Sequence, residues 1–377
     1  MSITPHDERF MAAAIRLSRQ HLGRTATNPS VGCLIVKDGA IVGRAVTALG
    51  GRPHAEPQAL AEAGELARGA TAYVTLEPCS HHGKTPPCAE ALIAYGVARV
   101  VISVTDPDPR VSGRGIAMLR DAGIEVDAGV LEAEGRHSLA AYLTRQTKNR
   151  PYVTLKLAVS ADGMIGRQGA GQVAITGPEA RAQVQALRAE TDAILVGIGT
   201  AISDDPLLTV RTPGLEAQSP VRIVLDPNLA LPLTSKLVAT ARDVPVIVVA
   251  SEEISPLGSE ADGTPPTGLA DIQSRRTALE AAGVEIVYCN PYHPEVLLPA
   301  LATRGISSLL VEGGAKTARL FLDAGLVDRI QLYQAPLVVG EGGIESPLRA
   351  TDIPSGFTHR GTSLYGADRL DKYEREN

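Results

Sequence analysis

Short apolar strands alternate with amphipathic helical stretches along almost all of this 377-residue chain. That alternation leaves few folds open, because strands following helices in this rhythm build a sheet with helices on both faces. It is interrupted once, at the polar stretch TRQTKNRP near residue 145. A chain of this length is expected to hold two domains on size alone, at roughly 100–200 residues each. The interruption therefore reads as a linker between domains at 1–145 and 150–377, both of α/β class.

In the first part, Thr4 and Pro5 open a helix whose apolar positions Met11 and Ile15 recur at helical spacing, and Gly23 can close it. VGCLIV (31–36) and IVGRAVTA (41–48) flank Lys37-Asp38-Gly39 and read as a hairpin. A helix is expected over 54–68, a strand over 71–77, a helix over 88–96 and a strand over 98–104. A helix near 115–122 and a strand near 124–130 follow. The second part opens with a strand at 152–160. Helices are expected near 178–189, 270–283, 294–304 and 315–325. Strands are expected near 192–197, 221–225, 244–250, 284–288, 307–312 and 329–335. Residues 251–268, rich in Ser, Gly, Pro and acids, read as an exposed loop.

The balance of charge removes some functions. The net charge is -6, with both signs interspersed, Trp absent and three Phe in all. A general nucleic-acid binder would show a basic face and aromatic stacking platforms. No apolar run approaches the ~20 residues that span a bilayer. The opening MSITPHDERF carries acids and no apolar core, which predicts no secretory leader. Four Cys in so long a chain do not make a disulfide scaffold. Reduced thiols and a cytoplasmic setting are expected, with a homo-oligomer compatible with the apolar second part.

The strongest chemical signal is His54-Ala55-Glu56, followed by Pro78-Cys79 and then Cys88. Zinc takes imidazole and thiolate ligands in tetrahedral geometry, and a catalytic site leaves one of four positions open. His54, Cys79 and Cys88 supply three ligands for one zinc per chain. Bound zinc brings the pKa of water towards ~7. Glu56, two residues after a ligand, is placed to carry the proton from that water to a leaving amine. His54 and Cys88 both fall where helices should begin, and a helix start favours thiolate. A structural zinc, with His81 or His82 as a fourth ligand, is the alternative reading. Cys33 reads as core.

This order of residues resembles the zinc deaminases acting on nucleobases. Eight residues, Ser80 to Pro87, separate the two Cys. That longer loop, PCSHHGKTPPC, resembles the deaminase domain of the bifunctional riboflavin-pathway enzymes. So does Asn28-Pro29-Ser30-Val31-Gly32, which lines the base pocket in that family. The resemblance implies a cytidine-deaminase-like α/β/α sandwich, with Asn28 at the pocket of a phosphorylated pyrimidine. Apart from the fourth-ligand reading, His81 or His82 reads as a substrate contact or as shaping the loop, with His82 the candidate taken, and Lys84 as a candidate for the substrate phosphate.

In the second part, Leu155-Lys156-Leu157-Ala158 with Ser160-Ala161-Asp162-Gly163 is similar to the opening strand of the riboflavin-pathway reductase, a fold similar to dihydrofolate reductase. GIGTAISDDPLLTVR (197–211) and LLVEGGAKTARLFL (309–322) match the same family in order and spacing. Val311-Glu312-Gly313-Gly314 ends a strand and opens a helix, where backbone N–H groups can approach a phosphate. By itself, a Gly-Gly turn is a tight strand–helix connection. The resemblance implies NADPH at Ala158, Ala174, Thr200, Asp204, Gly314, Ala315, Lys316 and Thr317. It places Gln172, Arg188, Leu208, Arg211 and Glu312 towards the substrate. Arg188 and Arg211 suit the ribose phosphate, since Arg grips phosphate bidentately. Lys156 and Glu312 are expected to handle protons, or Lys156 simply to pair with a carboxylate. Ala174, where relatives carry a large aromatic, and Pro227, where they carry a small hydroxyl residue, depart from the pattern.

The expected activity is deamination of 2,5-diamino-6-ribosylamino-4(3H)-pyrimidinone 5′-phosphate, followed by NADPH-dependent reduction of its ribosyl group to ribityl. The rival readings are a deaminase whose second domain only binds nucleotide, a nucleic-acid-editing deaminase and a zinc-stabilised scaffold without activity.

Overall fold

The computed structural model describes residues 3–83, 86–109, 111–254 and 269–376. It divides into two compact units, residues 1–150 and 151–377.

The first unit runs α1 (Pro5–Ser18), β1 (Gly32–Lys37), β2 (Ala40–Val46), α2 (Ala55–Ala63), β3 (Thr71–Leu76), α3 (Cys88–Tyr95), β4 (Arg99–Val104), α4 (Arg114–Asp121), β5 (Glu125–Ala128), α5 (Glu132–Ser138) and α6 (Ala140–Lys148). Thr4 and Asp7 cap α1 reciprocally, each side chain taking the other's backbone N–H. Asp38 and Gly39 both have positive φ, which shapes the hairpin turn between β1 and β2. The sheet has the order β2-β1-β3-β4-β5, antiparallel at β2-β1-β3 and parallel from β3 to β5.

Alternation along β1 divides the core between the two faces. Cys33 and Ile35 pack with Leu60 of α2, Leu92 of α3 and Leu119 of α4. Leu34 and Val36 pack with Met11 and Ile15 of α1. The helices press directly on the sheet: a Cβ at Gly43 would stand 2.1 Å from the Ala59 carbonyl oxygen. The polar stretch read as a linker is in part helix. Residues 144–148 form the last turns of α6, whose Thr144 is buried. A charged sequence hid this helix because only one face of it meets the protein.

The second unit runs β6 (Tyr152–Val159), β7 (Met164–Arg167), α7 (Pro178–Ala189), β8 (Ala193–Gly197), α8 (Ile198–Asp204), β9 (Val221–Leu225), α9 (Lys236–Ala239), β10 (Val246–Ala250), α10 (Leu269–Ala281), β11 (Val284–Tyr288), α11 (Pro294–Thr303), β12 (Ser308–Glu312), α12 (Ala315–Asp323), β13 (Arg329–Gln334), β14 (Gly343–Glu345), β15 (Phe357–Tyr365) and β16 (Asp368–Arg375). Nine strands form one sheet in the order β11-β10-β9-β8-β12-β6-β13-β16-β15. It is parallel up to β13 and antiparallel where the closing hairpin joins. β7 and β14 pair separately.

Leu155, Leu195 and Val311 meet Leu297, Leu301 and Phe321 on one face. Ile194, Val224 and Leu310 meet Leu237 and Leu279 on the other. β8, β12 and β6 lie side by side, so their carboxyl ends form the edge at which parallel α/β sheets bind ligands. Sequence patterning had not shown β7, β14, β15, β16, α8 or α9. Most of the 251–268 loop lies outside the described residues.

Candidate active sites

In the first unit, β3 ends at Leu76 and leads through Glu77-Pro78 to Cys79, while α2 and α3 begin immediately after His54 and at Cys88. These three termini converge. The ligand atoms of His54, Cys79 and Cys88 lie within 4.8 Å of one another. His54 Nδ1 stands 3.3 Å from Cys88 Sγ and 3.7 Å from Cys79 Sγ. The Cys88 N–H, at the start of α3, donates to Cys79 Sγ at 3.3 Å.

That bond network separates the two thiols. Hydrogen bonding from Cys88, opposed by burial and helped by His54, holds Cys79 down at about 4. The same pairing and burial push Cys88 well above the usual thiol range. One imidazole and two thiols form a donor set that suits zinc, and no fourth protein ligand joins them among the described residues.

Glu56 is buried. Burial, chiefly, and the nearby Cys79 push its carboxyl above the usual range, against the pull of His54.

A cavity of ≈ 230 Å³ opens beside these residues. Asn28, His54, Glu56 and Cys79 line it. His82, expected to face substrate, does not. It is exposed and lies 3.5 Å from Glu90 on α3, and the preceding His81 lines the cavity instead. Neighbouring loop residues point in opposite directions, and sequence cannot say which points inward. Lys84 lies outside the described residues. Sequence reading missed Arg52, Glu77, Asp106, Asp108, Tyr142, Arg145 and Gln146, which also line the cavity. Asp106 and Asp108 follow β4 at its carboxyl end, the position at which such sheets bind ligands.

In the second unit, strand register brings Glu312, the last residue of β12, beside Lys156 on β6. Arg188, from α7, donates to Glu312 from Nε at 2.9 Å and from Nη2 at 3.0 Å. Its Nη1 donates to the Thr209 carbonyl at 3.2 Å. Burial would raise the Glu312 carboxyl, but Arg188 and then Lys156 outweigh it and hold it at about 2. Burial pushes the Lys156 amine down, with Arg188 helping and Glu312 opposing. Its Nζ stands 5.8 Å from the centre of the Tyr333 ring.

The Arg188 fork, expected to meet a phosphate, pairs with Glu312 here. Glu312, expected to handle protons, has its carboxyl held low by Arg188 and Lys156. Arg211 is exposed, and its guanidinium makes no ion pair among the described residues. Leu208 is buried in a left-handed conformation, with φ +56.

Gly313 and Gly314, with φ +82 and +78, turn the chain from β12 into α12. A Cβ on Gly314 would meet Thr200 Oγ1 at 3.0 Å, and one on Gly313 would meet Thr200 Cγ2 at 3.2 Å. Only glycine leaves this cradle open, with Thr200, Ala315 and the buried Thr317 around it. Backbone N–H groups there and at the start of α12 suit a dinucleotide pyrophosphate. Lys316 is exposed at the same helix start.

Asp204 ends α8 and accepts from Ser203 at 2.6 Å. Ala158 is half-buried on β6, while Gln172 and Ala174 are exposed between β7 and α7. That segment approaches α8, since a Cβ on Gly171 would lie 3.5 Å from the Ser203 carbonyl oxygen. Pro227 follows the fully buried Asp226, which holds its turn by accepting from the N–H groups of Ala230 and Leu231 at 2.8 and 2.7 Å.

A His–Cys–Cys metal site beside a buried glutamate, joined to a glycine-cradled α/β unit, defines a zinc deaminase fused to a dinucleotide-dependent reductase. Residues 4–104 match the cytidine and deoxycytidylate deaminase zinc-binding region, and residues 151–362 match the RibD C-terminal domain. The chain is 42% identical over 336 residues to the riboflavin biosynthesis protein RibD of Aquifex aeolicus, covering 89% of this chain and 88% of that one. It is 41% identical over 337 residues to the RibD protein of Escherichia coli, covering 89% of each. A solved deaminase/reductase from Thermotoga maritima superposes with a TM-score of 0.83 at 34% identity, over 98% of this chain and 99% of that one. The chain belongs to the RibD family. It is a bifunctional enzyme of riboflavin biosynthesis, a hydrolytic deaminase and a reductase, with zinc and NADPH as its cofactors.

Proposed function

We propose that the first unit, residues 1–150, deaminates 2,5-diamino-6-ribosylamino-4(3H)-pyrimidinone 5′-phosphate, and that the second, residues 151–377, reduces the ribosyl group of the product to ribityl. The observation that carries this reading is the convergence of His54, Cys79 and Cys88 beside Glu56 at the wall of the ≈ 230 Å³ cavity. The name of the Thermotoga maritima relative, a diaminohydroxyphosphoribosylaminopyrimidine deaminase and 5-amino-6-(5-phosphoribosylamino)uracil reductase, supports the same pair of steps.

His54, Cys79 and Cys88 would hold the zinc, which when bound makes water a nucleophile near neutral pH. Asn28 and its loop orient the pyrimidine. Glu56 takes a proton from the attacking water at a carboxylate oxygen and delivers it to the departing amine. Its burial keeps bulk water from competing for that proton. Water adds at the ring carbon bearing the 2-amino group, the C–N bond breaks and ammonia leaves.

NADPH, when bound, supplies a hydride. Ala158, Ala174, Thr200, Asp204, Gly314, Ala315, Lys316 and Thr317 would hold it. Lys156, its amine eased towards neutrality by burial, handles a proton at Nζ as the opened sugar is reduced. Glu312 and Arg188 hold that amine in place, and Arg211, with Gln172 and Leu208, faces the substrate. The small phosphorylated pyrimidine is the only partner class this reading requires. No described helix is long and apolar enough to cross a membrane. A cytoplasmic setting, in keeping with four free cysteines, and a homo-oligomer complete the reading.

The test is purified protein with zinc, NADPH and the diaminopyrimidinone ribotide, with ammonia and NADPH followed together. Ammonia release followed by NADPH loss is expected. Ammonia without NADPH loss, even with the deaminated product supplied, would overturn the reductase assignment.

A further inference from the structure

One wall of the deaminase cavity carries a polar chain that the steps above do not use. Asp106, just beyond β4, is 5% exposed and lines the cavity. Its Oδ1 accepts the Asp108 N–H at 2.9 Å. The Tyr142 hydroxyl stands 3.0 Å from both Asp106 oxygens. Gln146, one turn further along α6, hydrogen-bonds the same phenol. Tyr142, Arg145 and Gln146 recur at i, i+3 and i+4, so one face of α6 is presented to the cavity.

A carboxylate offers about four acceptor positions. One Asp108 N–H and one shared phenol proton leave acceptor capacity on Asp106, in a cavity it helps to line. We propose that Tyr142 is a positioning residue that holds Asp106 as the acceptor for an N–H or O–H donor of the pyrimidine nucleotide. This rests on the deaminase reading above. A phenylalanine would fill the same volume and leave the carboxylate free to turn, so the hydroxyl itself is what the geometry singles out. The donor is either a ring amino group or a sugar hydroxyl, since both are N–H or O–H groups of one substrate.

Titration supplies a second readout. The groups facing Asp106 are Asp108, Tyr142 and Glu77, whose Oε2 accepts the Asp106 N–H at 3.3 Å. Glu56, His54, His81, Arg52 and Arg145 lie around the same cavity. Burial chiefly raises the Asp106 carboxyl, with Asp108 and Glu77 adding to it, while the Asp108 N–H and the Tyr142 hydroxyl lower it. Removing the hydroxyl therefore raises it further, and the carboxylate is lost at a higher pH.

The test compares wild type with Tyr142→Phe in the full chain loaded with zinc. Expected is a KM for deamination raised roughly five- to tenfold with kcat within about twofold, the range of one lost hydrogen bond. The acid limb of kcat/KM moves to higher pH, while zinc content and NADPH oxidation on the deaminated product stay unchanged. Inhibition by the sugar-free triaminopyrimidinone places the donor. A weakening that matches the KM change puts it on the ring, and an unchanged inhibition puts it on the sugar. An unchanged KM and acid limb in an active enzyme overturns this inference alone, as does a joint loss of kcat and zinc, which would mark Tyr142 as scaffold. A wild-type chain that releases no ammonia overturns the deaminase reading, and this inference with it.

Discussion

Arg188 and Glu312, 124 residues apart in the chain, meet through two parallel hydrogen bonds of 2.9 and 3.0 Å. Both side chains are nearly buried, and Lys156 is the next charge along. A buried ion pair of this kind contributes little net stability when intact, but breaking it strands a charge. The pair thereby fixes the electrostatic setting of Lys156.

Replacing Arg188 with Met should therefore cost about 3–5 kcal/mol. Lys in its place should recover only part, since an ammonium cannot reproduce the fork. Denaturant unfolding of the two variants against wild type measures this. A loss below about 1 kcal/mol for Arg188→Met would show that Glu312 finds water or another donor.

The same pair predicts an acid limit to stability. Glu312 sits at about 2, against an ordinary 4.5. A carboxylate depressed on folding adds stability above its unfolded value, and that stability fades as pH falls through 4.5 towards 2. The contribution is roughly 3 kcal/mol. Unfolding midpoints between pH 6 and pH 3 should fall less steeply in Glu312→Gln than in wild type. Parallel slopes would mean that Glu312 does not carry the effect.

Glu56→Gln should lower deamination by about 10²–10⁴-fold, the usual range for a lost proton carrier. Zinc content and NADPH oxidation on deaminated product should be unchanged. Stripping zinc with a chelator should stop ammonia release and leave that oxidation running. Ammonia release that survives either change would remove Glu56 or the metal from the chemistry.

Gly115, at the start of α4, has no room for a methyl group. A Cβ there would stand 2.1 Å from the Pro78 carbonyl oxygen and 3.3 Å from Glu77 Oε1. Glu77 accepts N–H groups from Gly113, Gly115 and Ile116 at 3.0, 3.0 and 3.3 Å, tying α4 to the strand end that leads to Cys79. Gly115→Ala should cost about 1–3 kcal/mol. It should also weaken zinc retention in competition with a chelator, because Pro78 must yield. Thermal unfolding and a zinc assay check the two parts.

Much of the site was legible because its chemistry is local in sequence. Glu56 follows His54 by two residues, and Cys88 opens a helix whose start the sequence marks with Pro86-Pro87. Most strands of both sheets, β15 and β16 apart, declared themselves through apolar runs, and β9 and β11 fall where their patterns placed them. The short and polar elements did not. β15 is partly exposed along its length, and α6 is charged on its open face, so neither carries a clean apolar period. That is why Tyr142, Arg145 and Gln146 escaped notice.

By itself, the sequence determined the α/β class, the set His54, Cys79 and Cys88 with Glu56 close by in the chain, and the glycine turn that opens α12, since each depends on residue type and short spacing. Only the tertiary structure decided that His81 and not His82 faces the cavity, that Tyr142 holds Asp106, and that Arg188 is committed to Glu312. Those are matters of side-chain direction and of contacts between residues up to 124 positions apart. Such contacts form because strand register and helix packing bring their elements together, and no local pattern records them.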